Sequence, residues 1–260
     1  MQRYAIVGLG MVTGPQPGRT ARLIETEVAR LAIEDAGLDR SQVTGAIQLP
    51  VVGGLGDRDQ WTDAFPRILG LPVNFYCTVQ RGGGVASWGI MTAMSFLDRG
   101  VADYVVLAHG QDDYSRTRVS KEAGARGMQL AAKEGYWGLP FGDIQAVSHH
   151  TFFASRHMHE HGTTPEQFGS IAVQQRQWAQ HNPNARFYGR PITLEDYMNA
   201  PMAVDPYRIL DMCVVSDGGV GFVMTTEERA KDHPHPIWVE GVGFGEAMAQ
   251  LWWDKQNYTT

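Results

Sequence analysis

The sequence VNFYCTVQRGGGVASWGIMTAMSFLDRGVADYVVLA at residues 73–108 shows most clearly how the chain is organised. Val73–Val79 alternates weakly in polarity and predicts a strand, and three glycines follow it at Gly82–Gly84. Val85–Leu97 carries no charged residue, so we expect a helix that is buried on all sides. Tyr104–Ala108 is a continuous apolar run typical of a buried strand. A strand, a helix and a second strand in this order predict a parallel β-α-β unit.

The same alternation continues on both sides of this stretch. The further predicted elements are strands at Tyr4–Gly8, Val43–Leu49, Gly219–Thr225 and Ile237–Gly243, and helices at Thr20–Ala36 and Trp61–Leu69. Strands that alternate with helices indicate an α/β fold, with a mixed but mostly parallel sheet covered by helices.

A polar region between the predicted strands interrupts this rhythm. It contains two helices, Ala146–His161 before Gly162, and Pro165–His181 with Thr164 as a possible N-cap. A structureless loop of this length would be unusual in a compact domain, so we interpret the region as a long helical insertion. The predicted division of the chain is residues 1–111, 112–206, 207–232 and 233–260.

The composition excludes several classes of protein. The chain has 260 residues, a formal charge of −6, 43% apolar and 19% charged residues, which argues against disorder and against a general nucleic-acid binder. Two cysteines are too few for a disulfide framework or a usual structural zinc site. Residues 82–97 are uncharged, but a membrane span needs about 20 residues, so this stretch is too short for one. We therefore expect a cytoplasmic protein with no membrane span.

A glycine motif near the N-terminus suggests a nucleotide site but does not fit one. The spacing Gly8-x-Gly10-x-x-x-Gly14 is one residue longer than the dinucleotide-binding fingerprint. Pro15 and Pro17 also prevent a helix from starting directly behind it. We favour a turn at the end of a strand.

Two other polar features are interpreted as local structure. Three histidines precede Gly162, namely His157, His159 and His161, and they would complement the negative end of a helix dipole there. Only the first and the last share a helix face, so a metal site is the less favoured alternative. Asp217 precedes a strand and is expected to hydrogen-bond a turn. No metal is predicted.

The triplet Gly82, Gly83 and Gly84 leaves two readings open. Glycines before a helix let backbone N–H groups approach an anion or an oxyanion, which favours a substrate-binding site. Close packing of the helix on the sheet would require glycines equally well. The residues alone do not separate the two.

Several segments in the same order resemble the thiolase superfamily, specifically the lipid-transfer-protein branch related to the thiolase domain of sterol carrier protein X. These segments are Ala5–Gly10, Thr78–Val79 with Gly82–Gly100, Ala102–Leu107, Arg156–Thr164, Asn182–Ala185 and Asp205–Gly219. The resemblance implies a thiolase-like fold in which residues 112–206 are the loop domain over the active site.

The resemblance also implies that the thiolase nucleophile is missing. Thiolases carry a nucleophilic cysteine at the start of the buried helix, where the helix N-terminus lowers its pKa. Gly83 occupies that position here. Cys77 and Cys213 are interpreted as small core residues. The catalytic residues are therefore unknown, and the predicted substrate-binding residues are Gly82, Gly83 and Gly84.

A thiolase has two similar halves, and the resemblance ends shortly after Ile237–Gly243. Leu251-Trp252-Trp253 then places large apolar side chains where little chain remains to cover them. The sequence is interpreted as an N-terminal half with most of the second half absent, either a fragment or a chain that a partner completes.

The resemblance implies an acyl-CoA-handling protein that cleaves a carbon–carbon bond of a lipid or steroid acyl-CoA by a retro-aldol route. The alternatives are a thiolase-type acyltransferase with a relocated nucleophile and a non-catalytic acyl-CoA-binding or scaffold subunit. No cofactor is expected besides the CoA thioester substrate. The expected partners are a second copy paired through Val73–Val79, a zinc-ribbon/OB-fold companion protein, and a separate chain that supplies the second half.

Overall fold

The computed structural model describes residues 2–50, 64–80, 82–120, 146–243 and 245. The chain divides into two compact units. The first contains the residues up to Arg118 together with Ser216–Gly243, and the second contains Val119–Val215. The insertion was predicted at residues 112–206. The predicted Leu251-Trp252-Trp253 cluster lies outside the described residues.

Eight strands and eight helices are numbered here in chain order over the described residues. The strands are β1 Tyr4–Thr13, β2 Gly45–Gln48, β3 Phe75–Thr78, β4 Tyr104–Asp112, β5 Met202–Val204, β6 Tyr207–Arg208, β7 Asp217–Thr226 and β8 Ile237–Trp238. The helices are α1 Ala21–Asp35, α2 Phe65–Ile68, α3 Val85–Asp98, α4 Asp113–Ser120, α5 Ala146–His161, α6 Pro165–Ala179, α7 Leu194–Asn199 and α8 Glu227–Ala230.

The first unit is built on a six-stranded mixed sheet in the order β3-β2-β4-β7-β1-β8. β2 pairs in parallel with β3 and β4, whereas β7 is antiparallel to both β4 and β1, and β8 is antiparallel to β1. β1, β2, β3 and β4 therefore run in one direction. The predicted mixed, mostly parallel sheet is confirmed, and β3 lies at its edge.

α1 packs tightly on one face of this sheet. Thr20 caps the helix by accepting a hydrogen bond from the Leu23 N–H at 3.3 Å. Ile24, Val28 and Ala32 are fully buried against the sheet. The core on this side also contains Ala5, Val7, Ala46, Phe65, Val106, Ala108 and Val223.

The position of Gly8 and Gly10 corrects one prediction. Both glycines lie inside β1, which continues to Thr13, and they do not form a turn at the end of a strand. A Cβ atom on Gly10 would overlap the Val28 carbonyl oxygen of α1, and one on Gly8 would overlap the Ala32 carbonyl oxygen. The glycines therefore serve the close approach of a helix, and a strand leaves no helix N-terminus there for a pyrophosphate.

α3 covers the opposite face of the sheet. Its buried residues Val85, Gly89, Ala93 and Leu97 repeat every four positions, so a single stripe of the helix faces the core. The other faces are partly or fully exposed. The prediction of a helix buried on all sides is therefore wrong for this chain, because apolar composition does not show whether the covering atoms belong to the same chain.

The second unit contains the helices α5 to α7 and the short β5-β6 hairpin. Thr164 is the N-cap residue of α6, which confirms the prediction, and its N–H donates to the side-chain oxygen of Gln167 at 2.9 Å. Gly169 of α6 packs against the ring of Tyr197, which is fully buried and donates its hydroxyl hydrogen to Asp211 at 2.9 Å.

Some boundaries differ from those predicted. The predicted strand Ile237–Gly243 is regular only over Ile237–Trp238, and the predicted helix Trp61–Leu69 is observed over Phe65–Ile68, since residues 61–63 lie outside the described part. Among the helices that the structure describes, none has the length and apolar character needed to cross a bilayer.

Candidate functional site

The glycine triplet lies at the carboxyl end of β3, where it forms a 3-10 turn that leads directly into α3. Gly84 is the N-cap residue of this helix, with φ −84°, and as a glycine it offers no side chain to bond the first N–H groups. Those groups are the donors that a helix leaves unpaired at its start. The turn thus presents backbone N–H groups and the positive end of a 14-residue helix dipole.

The surroundings of the triplet favour a ligand site, and not close packing of the helix on the sheet, as the reason for these glycines. Among the described atoms, a Cβ on Gly83 would meet nothing within 4 Å, and a Cβ on Gly84 would meet only Trp88 Cδ1, at 4.0 Å. Neither glycine has a left-handed φ that a side chain would oppose. The glycine that α3 needs for close packing is Gly89, whose Cβ would lie 2.6 Å from Leu49 Cδ2. An open, side-chain-free turn fits a ligand that approaches the backbone.

Cys77 is poorly placed to replace a nucleophile at Gly83. Cys77 lies within β3, six residues before Gly83, and packs against the core on the α3 side of the sheet. Burial raises the pKa of the Cys77 thiol, which disfavours the reactive thiolate. Cys213 belongs to the second unit and is exposed, so its prediction as a core residue is wrong.

A buried polar cluster lies at the carboxyl ends of β2 and β3, on the α1 side of the sheet. The Gln48 amide donates to Glu25 Oε2 at 3.1 Å, and its oxygen accepts from the hydroxyls of Tyr76 at 2.8 Å and Thr78 at 3.2 Å. Glu25 and Gln48 are 3% and 1% exposed. Burial raises the pKa of Glu25 to about 7, although Arg22 and Gln48 oppose this rise.

This cluster was not predicted from the sequence. One signal was present: Glu25 lies three and four residues before the buried Val28 and Ala29, so it belongs to the buried stripe of α1. A carboxylate in such a stripe indicates a specific partner. The partner Gln48 could not be found from spacing, because a strand register brings it to the helix.

Asp217 is a structural anchor, as its sequence context predicted. Its carboxylate accepts from the Gln16 N–H at 2.8 Å, the Ser115 N–H at 2.9 Å and the Ser115 hydroxyl at 2.6 Å. Burial would raise the pKa of Asp217, but the hydrogen bonds from Ser115, Gln16 and Tyr114 outweigh it and hold the pKa below its usual value. The residue ties the segment after β1 and the start of α4 to β7.

The histidines are placed at the end of α5, just before Gly162. His157 and His161 have ring centroids 4.6 Å apart, and His157 Nδ1 lies 2.8 Å from the Thr163 hydroxyl. Among the described residues, no group of three histidine, cysteine, aspartate or glutamate side chains is arranged to hold a metal ion.

A surface depression lies in the second unit. It has a volume of about 260 Å³ and is mostly apolar, with Arg176 stacked 3.8 Å above the ring of Phe187 at one side and Cys213 at another. Burial and the neighbouring Arg190 lower the pKa of Arg176. Apart from Arg176, little in this depression could bind an anion.

Two curated relatives match nearly the whole chain. A steroid side-chain-cleaving aldolase from Thermomonospora curvata is 36% identical over 254 residues, which are 94% of this chain and 63% of the relative. A 17-hydroxy-3-oxo-4-pregnene-20-carboxyl-CoA lyase from Mycobacterium tuberculosis is 31% identical over 252 residues, 93% of this chain and 62% of the relative. The chain thus spans less than two thirds of either relative. No protein-family model matches it.

Solved structures agree with this result. An Ltp2-ChsH2(DUF35) aldolase superposes with a TM-score of 0.75 at 34% identity, covering 90% of this chain and 58% of that one. An SCP2-thiolase-like protein from Mycobacterium smegmatis has the same fold, with a TM-score of 0.63 at 18% identity over 90% of this chain and 47% of that one. The chain is similar to the N-terminal half of thiolase-superfamily proteins, and it has their fold. Within this superfamily, the similarity is to the side-chain-cleaving aldolases, over an N-terminal half.

Proposed function

We propose that the chain is the thiolase-like N-terminal half of a carbon–carbon lyase that acts on a lipid or steroid acyl-CoA thioester. The observation that carries this proposal is the open turn at Gly83 and Gly84. The resemblance to thiolases implies that Gly83 takes the position of their nucleophile. A retro-aldol cleavage needs no covalent nucleophile, whereas a thiolase transfer does. The similarity to two curated lyases supports the same reaction class.

The proposed reaction starts from an acyl-CoA with a hydroxyl group on the β carbon. A general base removes the hydroxyl proton, the bond between the α and β carbons breaks, and its electron pair passes into the enolate of the thioester. The β carbon becomes a carbonyl, and protonation at the α carbon gives a shorter acyl-CoA. Backbone N–H groups at Gly83 and Gly84 would donate to the thioester oxygen, where negative charge develops.

The general base is assigned to a second half, on the same polypeptide in a longer product or on a partner chain. The relatives extend well beyond the segment that this chain matches, which leaves room for such a half. α3 is compatible with the same arrangement, because its outward side leaves Met91 partly exposed and a covering chain would bury it.

Two further partners are proposed. The similar aldolase is solved with ChsH2, a DUF35 protein, which supports a companion of the zinc-ribbon/OB-fold kind. β3 is an edge strand, and an unpaired edge can continue the sheet into a second copy, which supports a homodimer through this strand. Cytoplasmic localisation stays a prediction.

Turnover tests the function directly. The purified chain, with any chain that co-purifies, is incubated with a steroid β-hydroxyacyl-CoA, and the products are separated by mass. A ketone and a shorter acyl-CoA, formed without added CoA, are expected. A strict requirement for free CoA would instead identify a transferase, and tight binding without turnover a non-catalytic subunit.

Covalent labelling tests the missing nucleophile. After incubation with an acyl-CoA, the intact protein should keep its mass, because Gly83 has no side chain to acylate and burial disfavours the Cys77 thiolate. A stable acyl group on Cys77 would contradict the proposed lyase and support the transferase.

A further inference from the structure

Glu25 is enclosed where the second turn of α1 meets the carboxyl end of β4. A Cβ on Gly110 of β4 would lie 2.5 Å from the Glu25 N atom and 2.9 Å from its Cβ, so the strand and the helix are in direct contact. Glu25 is only 3% exposed, so its carboxyl is cut off from bulk water and depends on partners such as Gln48.

Gln48 connects this carboxyl to the last residues of β3. Its side-chain amide donates to Glu25, and its side-chain oxygen accepts from Tyr76 and Thr78. Its main-chain oxygen accepts from the Val79 N–H at 2.9 Å. Gln48 thus contacts three residues at the end of β3, and the last of them, Val79, lies only three residues before Gly82.

The state of the carboxyl decides how Gln48 can be oriented. An ionised carboxylate only accepts hydrogen bonds, which requires the amide N–H₂ of Gln48 to face it and the amide oxygen to face the two hydroxyls. A protonated carboxyl can donate as well, which permits the reversed amide. The observed orientation also suits the protonated carboxyl, because its carbonyl oxygen can accept from the amide. The neutral form therefore keeps these contacts without placing a charge in the interior.

The charges around Glu25 are few among the described residues. Arg22 comes from its own helix and Tyr76 from β3, while β2 contributes the neutral Gln48 and β4 the side-chain-free Gly110. Strand alternation places His109 on the opposite face of β4. Burial raises the pKa of Glu25 to about 7, so both protonation states occur near neutral pH.

We propose that Glu25 is a positioning residue for the glycine turn, acting through Gln48 on the end of β3. Its neutral form leaves the end of β3 and the turn ordered, and its ionised form, a buried charge, loosens them. The functional part of this inference rests on the proposed binding of an acyl-CoA at Gly82–Gly84. The structural part, an effect of Glu25 on the order of the turn, does not.

Hydrogen exchange of the full chain tests the structural part without a ligand. Wild type, Glu25→Gln and the control Glu34→Gln, an exposed carboxylate of the same helix, are compared at the same pH. In a peptide covering residues 79–90, wild type should exchange about fivefold faster than Glu25→Gln at pH 8 and equally at pH 5.5. Glu34→Gln should follow wild type.

Three results would overturn the inference. They are equal exchange of wild type and Glu25→Gln at both pH values, the same change in Glu34→Gln, or a change that spreads equally to residues 217–226 in β7. The last would mean that Glu25 affects the stability of the whole sheet and has no specific effect on the turn.

Binding of butanoyl-CoA to the same three proteins tests the functional part. The 3′-phosphate of CoA also titrates near neutral pH, so the ratio of the wild-type to the Glu25→Gln dissociation constant is the useful quantity. This ratio should rise from about 1 at pH 5.5 to about 5 at pH 8, since the loosened turn binds less well. A constant ratio overturns the inference, whereas failure of every protein to bind contradicts the proposed function and leaves hydrogen exchange to decide.

Discussion

α1 and α3 lie on opposite faces of the same sheet, and their outward sides differ in kind. The outward side of α1 is charged, with Arg30 paired to Glu27 at 2.8 Å and to Glu34 at 2.5 Å. The outward side of α3 has no charged side chain among Val85–Leu97 and carries the partly exposed Met91. A charged outer side is typical of a helix that faces water, and an apolar one of a helix that faces protein.

The sheet surfaces beside the two helices differ in the same way. Within β1, Gly8 and Gly10 face α1, so Leu9 and Met11 face the α3 side, where each is 51% exposed. A depression of about 370 Å³ on this side is lined by Tyr4, Met91, Met94 and Val242, among others. Among the described residues, the outer surface on the α1 side is thus charged, while the α3 side leaves apolar side chains exposed.

The largest expected effect on stability is at the contact between α1 and the sheet. Gly10→Val would place a branched side chain against the Val28 carbonyl oxygen and Leu31 Cβ, and main-chain atoms inside a helix cannot move aside. We expect a loss of about 3 kcal/mol or more in the free energy of unfolding. Urea denaturation measures it, and an unchanged midpoint would show that α1 packs less closely than the structure has it.

The next largest effect on stability is expected at Glu25, the carboxylate that α1 buries. The pKa of Glu25 is raised to about 7 in the folded chain, so its contribution to stability is complete below its ordinary pKa and is lost as the pH rises towards 7. Glu25→Gln cannot titrate and should not share this loss. Between pH 4.5 and pH 8 the difference in unfolding free energy should move by about 3 kcal/mol in favour of the variant.

Denaturant titrations at several pH values measure this shift. Glu34→Gln is the matched control, since Glu34 is exposed on the same helix, and its difference from wild type should stay nearly constant. A pH-independent difference for Glu25→Gln would mean that water reaches the carboxyl.

The same two helices show how much of the fold could be predicted from the sequence. Apolar periodicity placed α1, α3 and the central strands, because burial against a sheet imposes that pattern. It overstated the burial of α3, because a pattern of apolar residues does not reveal which chain covers them. It also misread Gly8 and Gly10, since a glycine in a turn and a glycine beneath a helix look alike in sequence.

For the site, the sequence located the glycine turn but not its neighbours. The turn is a continuous stretch between a strand and a helix, which local patterns reveal. The polar cluster joins Glu25, Gln48 and Thr78 from three elements, and only the register of β2 with β3 aligns Gln48 with Thr78. Such contacts depend on tertiary structure.

A smaller effect on stability is expected at the outward side of α3. Met91→Lys should change the unfolding free energy of the isolated chain by only about 0.5 kcal/mol, because the side chain is partly exposed and lies opposite the buried stripe of α3. It should nevertheless weaken association with a second copy or a companion by about tenfold, since a charge would be buried there. Light scattering at micromolar concentration measures association, and wild type should exceed the 28.8 kDa of a monomer.

The matched control for this variant is Leu23→Lys, at an exposed apolar position on α1. It should leave association unchanged. If both lysines weaken association equally, general charge repulsion explains the result and the apolar side of α3 is not an interface. A well-behaved wild-type monomer would contradict the idea that another chain covers the α3 side of the sheet.

The smallest effect on stability is expected for Gly83→Val, which introduces the same side chain as Gly10→Val at an open position. Its Cβ would meet none of the described atoms within 4 Å, so the unfolding free energy should change by about 0.5 kcal/mol or less. Binding of an acyl-CoA should fall much more, by about tenfold, because a branched side chain would hold the ligand away from the backbone N–H groups of the turn. Calorimetric titration and thermal denaturation of the same preparation separate the two quantities. If the melting temperature collapsed while the affinity per folded molecule stayed the same, the glycines would serve packing and the turn would not be the substrate site.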